Sequence, residues 1–454
     1  MSSILNFNGN TAVSAPGQQR LQVYTERQFD RIPQLRKLPA ETRLAMRVVA
    51  NVLPFRVNQY VLDELIDWDD PLNDPLFQLT FPQQGMLAPE DFQRMAELIR
   101  ADAPKAAIQR LSREIQARLN PHPAGQMQMN TPVFDGAPLP GVQHKYRETV
   151  LFFPAQGQVC HTYCSFCFRW AQFVGDKRWR MATSEGASLH QYLAQQPAVS
   201  DLLLTGGDPM VMKTRHLADY LRPLTRPQFD HVQSVRIGTK ALSFWPQRFV
   251  TDEDADQLLH LFEDLVGAGK HVALMAHYNH WRELDTDMAR EAIRRVRDTG
   301  AEIRSQAPLL AHINDAPEVW ARLWHDQVRL GIIPYYMFVE RDTGARRYFE
   351  VPLVRAWEVY RQAMQQVSGL ARTARGPSMS AGPGKVEVQG VADIHSERVL
   401  VLRFIQARNP DWVQRPFFAA YDDRATWLNE LRPAFGEPRF FFEDEYARMR
   451  RGNG

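Results

Sequence analysis

The sequence predicts an α/β chain built on a partial (β/α)6 barrel, with a helical region before it and an extension after it. Two observations carry this expectation. From about residue 144 onward, short β-rich runs alternate with amphipathic helical stretches, which implies βαβ units and a parallel sheet. A loop holding every cysteine of the chain follows the first of these runs, where a barrel of this kind gathers its chemistry. With 454 residues, 44% of them hydrophobic, the chain can bury a large core.

The elements follow in order. Residues 1–20 read as flexible and lack the charged-then-apolar order of a signal peptide. From about 25 to 119 the pattern is mainly helical with Pro-rich breaks. Residues 38–55 have helical apolar spacing ended by Pro54, and Pro89-Glu90-Asp91 is a helix start signal. Strands are expected at 149–153, 201–205, 232–238, 271–277, 302–306 and 332–338, with helices at 187–195, 213–223, 253–268, 284–298 and 316–329. A helix over 353–368 is followed by a Gly/Pro/Ser segment and an aromatic-rich tail, which is expected to pack on the barrel or mediate self-association. The division expected is 1–140, 141–350 and 351–454.

The formal net charge of +2 gives no electrostatic case for a nucleic-acid partner. No run approaches the roughly 18 apolar residues of a membrane span. The expected compartment is the reducing cytoplasm, which suits an oxygen-sensitive centre.

The three cysteines stand in one window, Cys160-His161-Thr162-Tyr163-Cys164-Ser165-Phe166-Cys167. Three thiolates at this spacing can hold three irons of a [4Fe–4S] cluster and leave the fourth iron open. A zinc site completed by His161 is the alternative, but that histidine sits directly beside Cys160, and structural zinc takes four well-placed ligands. A disulfide would leave one cysteine over. Further on, the run Leu202-Leu203-Leu204-Thr205 enters Gly206-Gly207-Asp208-Pro209, where two glycines let backbone approach a ligand closely. Lys385 is one of eight lysines and stands alone in the last third, inside Ser380-Ala381-Gly382-Pro383-Gly384-Lys385. Taken locally it reads as a surface turn lysine. Desolvated, it would be a nucleophilic amine.

The cysteine window with Phe166 before its last cysteine resembles the radical S-adenosylmethionine (SAM) enzymes. In that family the open iron binds the amino and carboxylate groups of SAM, and an electron from the cluster cleaves SAM to a 5′-deoxyadenosyl radical. Gly206, Gly207 and Asp208 resemble the family's SAM-binding motif. From about Asn58 to Lys385 the chain resembles the lysine 2,3-aminomutase family, which also uses pyridoxal phosphate (PLP). The resemblance rests on Pro71-Leu72-Asn73-Asp74-Pro75, His144-Lys145-Tyr146, Arg236-Ile237-Gly238-Thr239-Lys240, Pro246-Gln247-Arg248, His277-Tyr278-Asn279-His280, Asn314-Asp315, Pro334-Tyr335-Tyr336 and the Lys385 loop. It implies that Lys385 carries PLP on its amine. It places Lys145, Tyr146, Lys240 and Gln306 around PLP, with Lys145 and Lys240 near its phosphate. It gives Arg169 the substrate α-carboxylate, a bidentate task suited to guanidinium. The implied activity is an isomerase reaction that moves an α-amino group to the β-carbon and regenerates SAM. The implied partners are a small amino acid substrate, an electron donor such as flavodoxin or ferredoxin, and further copies of the chain.

Two departures from the family bear on the substrate. Its zinc-binding cysteines are missing: Ala316 follows Asn314-Asp315, and no cysteine lies beyond Cys167, so no structural zinc is expected. Lysine-specific members hold the distal ammonium with two aspartates. Here Arg341 and Ser378 stand at those positions, although Asp342 is one residue away. A cation there repels a lysine ammonium and attracts a carboxylate. Glutamate, or another acidic or polar amino acid, is the expected substrate. Lysine, and a radical reaction that consumes SAM for elimination, oxidation or deamination, are the alternatives.

Overall fold

The computed structural model describes residues 21–120, 129–175 and 181–452. The flexible start expected at 1–20 lies outside them. The centre is one sheet of eleven strands: β1 (Val142–Tyr146), β2 (Thr149–Phe152), β3 (Asp201–Leu204), β4 (Ser234–Thr239), β5 (His271–His277), β6 (Glu302–Leu309), β7 (Ile333–Val339), β8 (Arg375–Ser380), β9 (Gly384–Ile394), β10 (Glu397–Ala407) and β11 (Pro416–Ala420). Their spatial order is their chain order. Strands β2 to β8 pair in parallel, while β1 and β9 to β11 join antiparallel.

All six expected strands and their helices are present. The helices are Gly186–Ala194, Thr214–Leu221, Ala255–Gly267, Asp287–Asp298 and Pro317–Arg329, followed by Leu353–Gln365. Alternation along the strands explains how they are covered. In β4, Val235 and Ile237 are fully buried against helix residues such as Leu258 and Phe262, whereas Arg236 and Gly238 face the other way. The first face makes the main apolar core. The second carries polar side chains.

This polar face curls inward, bringing β1 against the end of β8. Lys145 on β1 donates from Nζ to the Ala381 carbonyl, just beyond β8, at 2.6 Å. Seven strand spacings of ~4.8 Å would hold these residues more than 30 Å apart in a flat sheet.

A second core belongs to the N-terminal region. Phe29, Phe55, Phe81 and Phe77 make successive ring contacts there, the last pair stacked, in a core that includes Phe166 and Trp170 of the cysteine loop. A third core is C-terminal, where Phe404, Trp412, Phe417, Phe440 and Phe442 pack between β9 to β11 and the tail. The aromatic tail is thus buried against its own chain. The Gly/Pro/Ser segment expected after 368 is largely strand β8. Gly376 in it has φ +147°, and a Cβ there would strike the Met337 carbonyl, so a glycine inside a strand marks a close backbone approach.

Candidate active site

The cysteine loop leaves the C-terminal end of β2 and is clamped by the N-terminal region. Tyr163 N–H donates to Arg56 O at 2.8 Å, Ser165 N–H to Leu79 O at 2.9 Å, and the Ser165 hydroxyl to Gln78 O at 2.7 Å. The Thr162 hydroxyl accepts from Asn58 N–H at 3.1 Å. Cys160, Cys164 and Cys167 are each half-buried and unbonded to one another. Burial pushes all three thiols up, Cys164 to about 12 and Cys167 to about 11, opposed by Lys240 at Cys164 and by Arg169 at Cys167 and Cys160. Among the described residues no three side chains converge as the shell of one metal ion. A four-iron cluster has a different demand, since each thiolate binds its own iron. Three free thiols on one braced loop, with cations beside them, fit that demand.

The glycine turn after β3 lies against this loop. A Cβ on Gly207 would sit 2.6 Å from the Val159 backbone, next to Cys160, so only glycine allows the approach. Asp208 is buried, and its carboxylate is fully engaged. It accepts from Lys240 N–H at 2.8 Å, Met210 N–H at 2.9 Å, the Thr239 hydroxyl at 2.7 Å and His161 Nε2 at 3.1 Å. Burial raises this carboxyl, but the His161 bond and the other donors outweigh it and hold it below its ordinary range. Asp208 therefore ties three loops together, and its side chain has no bond left for SAM. His161 serves the same knot, which accounts for it without zinc.

Lys385 is the second residue of β9, not a surface turn. Its Nζ stands 4.0 Å from the Tyr336 ring centre and 5.4 Å from that of Phe338. Burial, with Arg236 and Arg375 nearby, lowers its amine to about 7. Lys145 lies in the same region, lowered by burial and then by Arg408, Arg341 and Lys385. Tyr146 is beside it, with the Lys145 ammonium 5.2 Å from its ring centre. Gln306 projects from β6 and meets His277 Nε2 at 3.2 Å. Burial lowers His277 to about 3, so it is neutral. A nucleophilic amine against an aromatic face, with cations around it, fits PLP.

Lys240 does not join this group. Its Nζ donates to Glu283 Oε1 at 2.5 Å, Asn279 Oδ1 at 3.1 Å and His277 O at 3.3 Å, and it lies 4.2 Å from the Phe244 ring centre. Its charge is neutralised internally beside the cysteine loop. The place near the PLP phosphate that the resemblance implies for it finds no support in this geometry, in which Glu283 holds its ammonium.

The two expected substrate arginines lie near one another, both against the Phe168 ring. Arg169 donates from Nη1 to the Gly206 carbonyl at 2.9 Å and stacks 4.6 Å from the Phe153 ring centre. Burial lowers it to about 10, so it stays a cation at neutral pH. Arg341 has a buried Nε with no hydrogen-bond partner, and Asp342 is 4.0 Å away. Burial pushes the neighbouring Glu340 carboxyl well up from its ordinary range. The Ser378 hydroxyl is buried and unpartnered. Sequence reasoning missed Phe168 and Trp427, which flank Arg341 at 5.2 and 5.7 Å. Phe168 was legible as the neighbour of Cys167. Nothing in the sequence connects Trp427 to this site.

No protein-family model matches the chain. A protein of Aquifex aeolicus that carries the provisional name L-lysine 2,3-aminomutase is 31% identical over 405 residues, covering 89% of this chain and 94% of that protein. The L-lysine 2,3-aminomutase of Fusobacterium nucleatum is 29% identical over 272 residues, 60% of each chain. That of Bacillus subtilis is 28% identical over 255 residues, 56% of this chain and 51% of the other. In these last two the match spans little more than half of the relative. Among solved structures, Streptococcus suis SuiB bound to its precursor peptide SuiA has a TM-score of 0.34 at 13% identity, covering 69% and 66% of the two chains, which is a slight likeness. The long match to the Aquifex protein places this chain in the L-lysine 2,3-aminomutase family.

Proposed function

We propose that this chain is a radical SAM 2,3-aminomutase acting on an acidic amino acid, with glutamate as the leading substrate. The observation that carries the reading is the pair of half-buried arginines, Arg169 and Arg341, set against the same Phe168 ring, with a buried Arg341 Nε that makes no hydrogen bond and Asp342 4.0 Å away. Two cations this close repel, and one carboxylate at 4.0 Å leaves the pair incompletely compensated. A substrate with two carboxylates compensates both.

In this reading the curled sheet is a partial (β/α)6 barrel, preceded by a bracing region at 1–140 and followed by a segment at 351–454 that supplies Lys385. Cys160, Cys164 and Cys167 hold a [4Fe–4S] cluster, the Gly206-Gly207 backbone borders SAM, and Lys385 holds PLP with Lys145, Tyr146 and Gln306 around it. When bound, these groups supply the radical that takes a hydrogen from the substrate β-carbon and the conjugated ring that eases migration of nitrogen. A low-potential donor such as flavodoxin or ferredoxin supplies the electron.

The chain's own residues do the placing. Arg169 pairs with the α-carboxylate, and its bond to Gly206 O ties that carboxylate to the glycine turn. Arg341 takes the distal carboxylate. Lys385 offers its neutral amine near pH 7. Phe153, Phe168, Tyr336 and Phe338 line the space and exclude water.

Lysine is the second reading, favoured by the relatives' names. It needs a charged acid at the distal end. The acids nearby are Glu340, whose carboxyl burial pushes well up, and Asp342, which already stands 4.0 Å from Arg341.

The test uses anaerobically reconstituted protein with SAM, PLP, a reductant and L-glutamate. β-Glutamate well in excess of 5′-deoxyadenosine is expected. Deoxyadenosine in step with substrate loss, without β-glutamate, overturns the aminomutase reading in favour of elimination, oxidation or deamination.

A further inference from the structure

Arg169 and Arg341 are held by aromatic faces where carboxylates would be usual. The Arg169 guanidinium carbon lies 4.6 Å from the Phe153 ring centre and 5.3 Å from that of Phe168. The Arg341 carbon lies 5.2 Å from the same Phe168 centre and 5.7 Å from Trp427. Cations and rings therefore alternate as a ladder, Phe153–Arg169–Phe168–Arg341–Trp427. A ring attracts a guanidinium through its face without using any N–H donor. Arg169 spends one N–H on the Gly206 carbonyl and Arg341 faces Asp342 at 4.0 Å, and the remaining N–H groups of both are left for a carboxylate.

We propose that this ladder is a dicarboxylate cradle in which Phe168 and Trp427 set substrate selectivity. The inference rests on the acidic-substrate reading above and deepens it. Both guanidinia contact Phe168, so one ring fixes the spacing of the two carboxylate subsites. That ring is 40% exposed beside Cys167, which leaves its surface for the methylenes between the carboxylates. A monocarboxylate leaves one guanidinium uncompensated, and lysine adds a third cation.

Trp427 brings the C-terminal segment into the site, and that segment is firmly anchored. Ala425 O accepts from Leu353 N–H at 2.8 Å. Thr426 N–H donates to Glu430 Oε2 at 2.7 Å, and Arg346 bridges Glu350 and Glu430 beneath it. Trp427 acts on the substrate through Arg341 and is a positioning residue. Phe168 borders the substrate space directly.

The experiment titrates glutarate, which has two carboxylates and no amine, into the reconstituted full chain by calorimetry, with butyrate as the one-carboxylate control. Wild type is expected to bind glutarate the more tightly. Phe168→Leu and Trp427→Leu should each weaken glutarate by about tenfold, the scale of a desolvated cation–π contact, with butyrate unchanged. Trp427→Phe should restore most of the loss. In turnover, the leucine variants should raise KM for glutamate while kcat changes little. Phe168→Leu carries little folding risk because the ring is partly exposed, and unchanged thermal unfolding checks Trp427→Leu. Glutarate binding no better than butyrate, or equally well by wild type and both leucine variants, overturns the cradle. If wild type binds glutarate through the ladder yet makes no β-glutamate, the substrate reading fails and the cradle stands. β-Glutamate made with unchanged KM by both leucine variants removes the cradle and leaves the reading.

Discussion

Lys385 shows how burial turns an ordinary side chain into a reagent. Only a neutral amine attacks an aldehyde. With its amine lowered to about 7 by burial and by Arg236 and Arg375, the rate of PLP attachment should rise with pH up to about 7 and then level. An exposed lysine would keep gaining to about pH 10. Stopped-flow absorbance of the PLP band across pH reads this directly, and Lys385→Ala should show no band. Arg169→Lys should lose the two-pronged grip on the α-carboxylate and raise KM for the substrate by at least about tenfold, seen in steady-state kinetics. At this scale the cysteines and Lys385 stand out in the sequence by type and spacing, and the structure sets the three thiols on one braced loop and the Lys385 amine 4.0 Å from the Tyr336 ring centre. The pairing of Lys240 with Glu283 was not legible because charge alone does not say where an ammonium points, and Glu283 lies 43 residues away in sequence.

Elements matter here as braces. The Pro75–Thr80 helix is capped by Asp74, which accepts from Leu76 and Phe77 N–H at 2.8 Å each and pairs with Arg282 across the N-terminal interface. Asp74 is 1% exposed at its side chain. Asp74→Ala breaks both cap and ion pair and should cost about 3–5 kcal/mol, measured by urea unfolding. Because Gln78 and Leu79 of that helix hold Ser165, iron bound per chain should fall as well. Gly207→Ala forces a Cβ into the Val159 backbone and should cost about 1–3 kcal/mol, with the same drop in iron. The six central strands were legible from their short β-rich runs alternating with helical periods. Strands β8 and β9 were missed because Gly376-Pro377 and the Gly382-Pro383-Gly384 turn imitate loop composition, while β1, β10 and β11 are antiparallel additions outside the βα alternation. The glycine at 376 is demanded by the Met337 carbonyl, a contact no local pattern reports.

The whole molecule is a curled sheet with one apolar face under helices and one polar face turned inward. Both ends of the chain contribute to the candidate site: the N-terminal region grips the cysteine loop, and the C-terminal extension supplies Lys385 and Trp427. In the proposed function, the charge at Arg341 is what selects the substrate. The direct test is a competition: an equimolar mixture of L-glutamate and L-lysine given to the reconstituted enzyme and to Arg341→Asp, with β-amino products separated by chromatography and identified by mass. The account predicts β-glutamate from the wild type, and loss of β-glutamate with a gain of β-lysine in the variant. β-Lysine as the main wild-type product contradicts it.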